Sequence, residues 1–360
     1  MRYSVLGYSW FLVVMMAVVT LRGAEAVPLQ FPGLEGPGKG RHVVLVAGDE
    51  EYRSEESMPM LAKILSQRHG FTCTVLFSLE PTSGRINPNE QTNIPGLEAL
   101  DQADLLIILT RFRRLPQEQL RPIARFLRAG KPVIGLRTAT HAFTGDAVTD
   151  GIVWRDFGLN VLGETWVAHH GQHKVQGARG VIEPAQAEHP ILRGVRDVFG
   201  PSDVYTVRHL KDDATILLRG QVTETLAPDS AAVVGPQNAP MMPQVWLRPY
   251  EVPNGVRGRA LCSTIGAAVD FLSADLRRLI VNAVYFLNEL PVPTEADVRF
   301  VDPFEPTFYG FVNDDARWLE RNLRPADFGL GRATTPFAVV EEPPTWVRPR
   351  DQSPKSEGAR

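Results

Sequence analysis

Three of the chain's eight histidines, His169, His170 and His173, fall within five residues in the stretch "WVAHHGQH". Neutral imidazoles ligate borderline metals, and histidine is the side chain that titrates near neutral pH. The cluster therefore offers proton transfer, ligation of a divalent transition metal, or contact with a substrate beside Trp166. Its spacing matches neither a zinc-protease helix nor a zinc-finger pair, and Gly171 breaks any helix. A second stretch, "GLRTATHAF" from Gly135 to Phe143, follows the apolar run "KPVI" and contains neither cysteine nor serine. A strand-to-helix turn of this kind aims backbone N–H groups and its first side chains into a crevice. Arg137, Thr138, Thr140 and His141 are placed there to hold and polarise an oxygen-rich ligand, with His141 able to act as acid or base. A threonine nucleophile would need an activating base, and a threonine at a helix start serves equally well as a cap.

Two further strand ends carry charge. "DEEYRSEES" crowds Asp49, Glu50 and Glu51, whose repulsion raises a carboxyl pKa or attracts a cation, unless they simply form the acidic entry of a helix. In "TRFRR", Arg111, Arg113 and Arg114 flank Phe112; Arg111 is the anion-binding or substrate-binding candidate. Asp203 and Tyr205 in "SDVYTV", and Trp246, Arg248 and Tyr250 in "PQVWLRPY", join aromatic faces to hydrogen-bonding groups. That pairing suits a sugar ring or an ordinary core.

These residues need elements to carry them. "HVVLVAG", "FTCTVLF", "ADLLIILTRF" and "KPVIGLR" are short apolar runs separated by the helical patterns "SMPMLAKILSQRHG" and "PQEQLRPIARFLRAG", each closed by glycine. Runs buried on both faces and joined by helices predict an α/β domain with a doubly wound, mostly parallel sheet of the flavodoxin-like kind, in which ligands bind beyond the carboxyl ends of the strands. "RDFGLNVLG" predicts a short helix, "TILLRG" and "AAVVG" strands, "PQVWLRPYEVPNGVRGRALCSTIG" a hairpin turning at Asn254 and Gly255, and "ADLRRLIVNAVYFLNEL" an amphipathic closing helix. Residues 1–26 have the layout of a cleavable secretory signal, which predicts an exported protein, periplasmic or extracellular, with no membrane attachment after cleavage. Residues 27–40 read as a linker, 41–290 as the single main domain, 291–340 as an extension packing on it, and 341–360 as a disordered tail.

The net charge of −3 and pI near 6.3 give no basic surface for nucleic acid, leaving a small molecule as the expected partner. No G-x-G-x-x-G or P-loop follows a strand, so neither nicotinamide nor ATP is expected. Cys73 and Cys262 lie in apolar contexts, as a distant disulfide or as two buried thiols.

"GKPVIGLRTATHAF", "WVAHHGQH", "SDVYTV" and "PQVWLRPYEVPNGVRGRALCSTIG", in this order, resemble the ThuA-like (trehalose utilisation) family over roughly residues 41–290. The resemblance implies a fold like that of the class I glutamine amidotransferases and action on a carbohydrate or an oxidised (keto) sugar. Where the family pattern has His, Asp and His, this chain has Arg137, His141 and Ala267. The amidotransferase turn presents a cysteine, which is missing here, so glutamine hydrolysis is not expected. Three functions follow. The first is sugar isomerisation, elimination or hydrolysis in which His141, His169 and His170 move protons, Asp203 orients a histidine or hydroxyl, and Arg137, Thr138, Arg111, Tyr205 and Trp246 contact substrate. The second is carbohydrate binding without catalysis, and the third is metal-assisted chemistry at His169, His170 and His173.

Overall fold

Along β2 (His42–Gly48), Val43, Leu45 and Ala47 enter one hydrophobic core while Val44 and Val46 enter another. This period-two division is what a strand buried on both faces requires. The computed structural model of the chain describes residues 28–334. The leader expected at residues 1–26 and the tail at 341–360 lie outside the described residues.

The remaining strands in chain order are β1 (Leu29–Phe31), β3 (Thr72–Phe77), β4 (Leu105–Thr110), β5 (Val133–Leu136), β6 (Val148–Thr149), β7 (Ile152–Val153), β8 (Ala178–Ile182), β9 (Val198–Gly200), β10 (Thr215–Val222), β11 (Met242–Tyr250) and β12 (Gly258–Ser263). Together with β2, nine of these form one ten-stranded sheet in the order β1-β3-β2-β4-β5-β12-β11-β10-β8-β9, and β6 pairs with β7 apart from it. β3, β2, β4, β5 and β12 run parallel, which is the doubly wound half read from the sequence. Helices α1 (Ser54–His69) and α3 (Ala274–Leu287) supply the core on one face; α2 (Gln117–Arg128) supplies it on the other. α1 stops at Gly70, whose φ of 82° lets its N–H reach the Leu65 carbonyl.

Beyond β12 the sheet turns antiparallel. β11 and β12 form the expected hairpin, with Asn254 in the left-handed region at φ 58°, and β10, β8 and β9 add to its far side. "AAVVG" forms no extended strand: Ala232 bridges to Thr223 and Val233 N–H reaches the Val222 carbonyl at the end of β10, but the pairing stops there as Val234 and Gly235 turn out to solvent. The segment read as a linker also differs, because β1 pairs antiparallel with β3 and buries Phe31 in the core. Cys73 and Cys262 are free, buried thiols in β3 and β12. The short helix of "RDFGLNVLG" is a wide, π-type turn at Gly158–Leu162 ending on Gly163 at φ 95°. Val292, Val298, Phe304 and Phe328 seal the α1–α3 face, and a further short helix, α4 (Asp315–Glu320), follows. Among the described residues no helix is long and apolar enough to cross a membrane.

Gly158 fixes the turn after β5. A β-carbon there would lie 1.8 Å from the Thr140 carbonyl oxygen and 2.7 Å from that of Glu164, both backbone. Neither can yield without moving the residues around His141, so Gly158→Ala is expected to destabilise by about 3 kcal/mol or more, the upper end of overpacking costs, as read by urea unfolding.

Candidate functional site

At the carboxyl end of the parallel strands, a short 3-10 turn, Arg137–His141, follows β5 directly. Arg137 has φ 45°, the left-handed conformation of a sharp strand-to-helix elbow. Its side chain does not reach solvent. The guanidinium is fully buried beneath the loops, donating to the Asp203 carbonyl (2.5 Å), the Asp203 carboxylate (3.0 Å), the Thr264 carbonyl (2.8 Å) and the Tyr52 hydroxyl (3.2 Å). The rings of Tyr205 and Tyr52 cover it at 3.9 and 4.6 Å. Arg137 is thus a counter-ion and a brace rather than the ligand contact expected from the sequence, because every direction from its head is taken by protein.

Asp203 is the group it braces. Its carboxylate faces His169 Nδ1 at 2.7 Å and His173 Nδ1 at 2.9 Å. Burial would raise its pKa, but Arg137 and the two imidazoles outweigh that and hold it well below the usual carboxylate range. His173 bridges to a second carboxylate, Glu51, through Nε2 at 3.1 Å. An imidazole with both nitrogens on carboxylates is held as the cation; burial pulls its pKa down, yet the bonds to Asp203 and Glu51 win and raise it. His169 has only Asp203. Its Nε2 has no protein partner among the described residues, and a third of its side chain is exposed.

His170 is turned away, with Nε2 bonding the Gln237 carbonyl at 2.7 Å, so neither proton transfer nor ligation at this centre falls to it. His169, His173 and Asp203 do group their ligand atoms within 4.8 Å, and these are the residues that would hold a divalent metal. The charge balance opposes one. Both Asp203 oxygens are engaged, and a cation there would face the Arg137 guanidinium in a medium that screens poorly.

His141 lies on the other side of Trp166, with ring centroids at 5.2 Å; Trp166 in turn stands 4.8 Å from His169 and 4.7 Å from Tyr205. Burial, then Arg111 and Arg137, lower its pKa to about 3, so it is neutral at physiological pH and a poor proton acceptor. Its Nδ1 meets the Thr140 hydroxyl at 3.1 Å. When the hydroxyl's one hydrogen goes to this nearer acceptor rather than to the Arg137 carbonyl at 3.5 Å, Nε2 carries the proton and His141 is a neutral donor toward an oxygen, a different part from the expected acid or base.

The remaining candidates separate. Thr138 is fully buried and gives its hydroxyl to Asp49 at 2.5 Å, which leaves nothing for a substrate. Burial and Glu50 raise Asp49 to about 6. Glu50 pairs with Arg111 and Arg113, so the acidic run neutralises the basic one. Tyr205 is buried against Arg137. Trp246 sits in the core, its indole donating to the Leu162 carbonyl at 2.7 Å, and is not brought to the cluster.

Three contributors escape a reading of the sequence. Asp270 accepts from Ser202 N and Oγ and from the N–H groups of Gly266 and Ala267, at 2.5–3.1 Å, tying the Asp203 loop to the turn after β12. Tyr52 joins α1's entry to Arg137. Tyr309, from the extension, donates to the Pro201 carbonyl at 3.0 Å and packs on His173 and Tyr52. The aromatic density of "PTFYGF" was the one available hint.

The raised pKa of His173 has a thermodynamic consequence. Its bridge contributes stability fully present below the unfolded value of 6.5 and lost as pH rises through the folded value. As the pH rises above 6.5 the wild type should therefore lose unfolding free energy relative to His173→Gln, measured by denaturant titration; a constant difference would contradict the bridge.

The ThuA family, described as trehalose utilisation, matches residues 42–287. A solved ThuA-like protein from Parabacteroides merdae is similar over 72% of this chain and 98% of its own, at 14% identity and a TM-score of 0.45. The mmIFT52 N-terminal domain is similar over 68% of this chain and 96% of its own, at 10% identity and a TM-score of 0.36. No curated protein matches the sequence. The family match spans β2 to β12, with the strand-end loops that carry Arg137, His169 and Asp203, and the chain belongs to the ThuA family.

Proposed function

We propose that this ThuA protein is an exported enzyme that moves a proton on an oxidised (keto) sugar, with His169 as the base. The observation that carries this reading is the Asp203–His169 pair. A buried, permanently ionised carboxylate accepts Nδ1–H and leaves Nε2 as the free acceptor at the exposed side of the site, the orientation that general-base histidines use. His169 Nε2 takes the proton from the carbon beside the sugar carbonyl, and the C–H electron pair passes to the carbonyl oxygen. The neutral His141 N–H donates to that oxygen as it gains charge. Delivery of a proton to the opposite face of that carbon, as the electron pair returns from oxygen, completes epimerisation; alternatively the returning pair forms a C=C bond and expels a leaving group, with its bonding pair, from the next carbon, completing elimination. The half-buried face of Trp166 between the two histidines suits a sugar ring.

In D2O, the protein should wash solvent deuterium into the carbon beside the carbonyl of a keto-sugar from a panel, followed by NMR. His169→Gln should slow this by about 10²–10⁴-fold, the usual contribution of a positioned base. Exchange that survives this substitution undiminished would sink the proposal. Saturable sugar binding with no exchange in the wild type would favour a binding protein instead.

Export is supported by the signal-like residues 1–26, in which Ala24 and Ala26 form the small-residue cleavage pair. Amino-terminal sequencing of the protein recovered from its native compartment should begin at Val27; a start at Met1 would place it elsewhere.

A further inference from the structure

Residues 307–311 lie beyond the family match yet cross the mouth of the site. They are held firmly. Thr307 donates its N–H and hydroxyl to the buried Glu56 carboxylate at 2.7 and 2.6 Å, Tyr309 donates to the Pro201 carbonyl, the Gly310 N–H bonds the Glu51 carbonyl at 2.9 Å, and Arg53 donates to the Gly310 carbonyl. On this fixed support Phe311 is 42% exposed. Its ring centre lies 4.9 Å from the Arg111 guanidinium, and that of Phe112 lies 4.7 Å from it. Phe112 in turn stands 4.9 Å from His141. A line of rings and one cation therefore leads outward, from buried His141 through half-buried Phe112 and Arg111 to the exposed Phe311.

We infer that Phe311 is a specificity-determining residue, which together with Phe112 and Arg111 binds a second sugar ring attached to the one at His169. The inference rests on the carbohydrate reading above. Arg111 spends one N–H on Glu50, and its other N–H groups have no partner among the described residues. A planar donor set flanked by aromatic faces is the combination a pyranose ring recognises, hydroxyls to the donors and C–H face to the rings. A rigidly held, exposed phenylalanine gains from being covered, and a ring extending from the inner site would cover it.

The test is titration of the full chain with glucose, maltotriose and cellotriose, read by tryptophan fluorescence, in the wild type, Phe311→Ala and Phe311→Trp. At least one trisaccharide should bind the wild type more tightly than glucose. Phe311→Ala should collapse that preference by about tenfold, the worth of one aromatic contact, and Phe311→Trp should keep it. A trisaccharide preference unchanged in Phe311→Ala, or equal affinity for glucose and both trisaccharides in the wild type, would overturn the role of Phe311 and leave the carbohydrate reading standing. Absence of binding by all three sugars would overturn the second-ring role of Phe311, whereas the keto-sugar reading fails separately, by loss of the deuterium exchange described above.

Discussion

The buried ion pair between Arg137 and Asp203 is the constraint on which the site depends. A guanidinium and a carboxylate withdrawn from water each carry a large desolvation cost, which is recovered only if the geometry is close and the remaining donors and acceptors are satisfied. Here Arg137 has its two backbone carbonyls and the Tyr52 hydroxyl, with its Nε left unpaired, and Asp203 has its two imidazoles. Three separate stretches of chain, the turn after β5, the histidine loop and the loop before β10, must therefore meet at one point. The folded position of His169 follows from the charge that lies under it.

The rest of the sheet edge obeys the same rule. Three buried carboxylates are answered across strand ends: Glu50 by the arginines after β4, Asp49 by Thr138 after β5, and Asp270, after β12, by Ser202 after β9. Buried atoms such as Thr110 Oγ1 and both oxygens of Glu55 stay unpaired in the interior. His169 Nε2 and the N–H groups of Arg111 not spent on Glu50 differ from these in belonging to side chains that reach solvent.

How far the sequence speaks varies with the physics involved. The parallel half is legible because burial on both faces forces unbroken apolar runs such as "LLIIL", with glycine stops at Gly70 and Gly130. The antiparallel half is not, because strands such as β8 and β9 are short and mixed in character, and their pairing is set by contacts far away in sequence. Likewise, clustering drew attention to "WVAHHGQH", and position after a strand drew it to "GLRTATHAF". Neither signal tells which side of a residue faces outward. His170 and His169 are neighbours with opposite fates, Thr138 and Arg137 are consumed internally, and Trp246 looks like a platform but is core. Tyr309 and Asp270 answer to no motif; they matter through tertiary contact alone.

The elbow after β5 also limits what can stand at its apex. Its left-handed backbone, at a cost on the order of 1–2 kcal/mol for a residue with a β-carbon, carries an arginine folded back as a counter-ion. One residue cannot both neutralise the charge beneath it and present chemistry above it. Any replacement of Arg137 by a nucleophile would strand the Asp203 charge unless that carboxylate changed as well, so the two members of the pair can be exchanged only together.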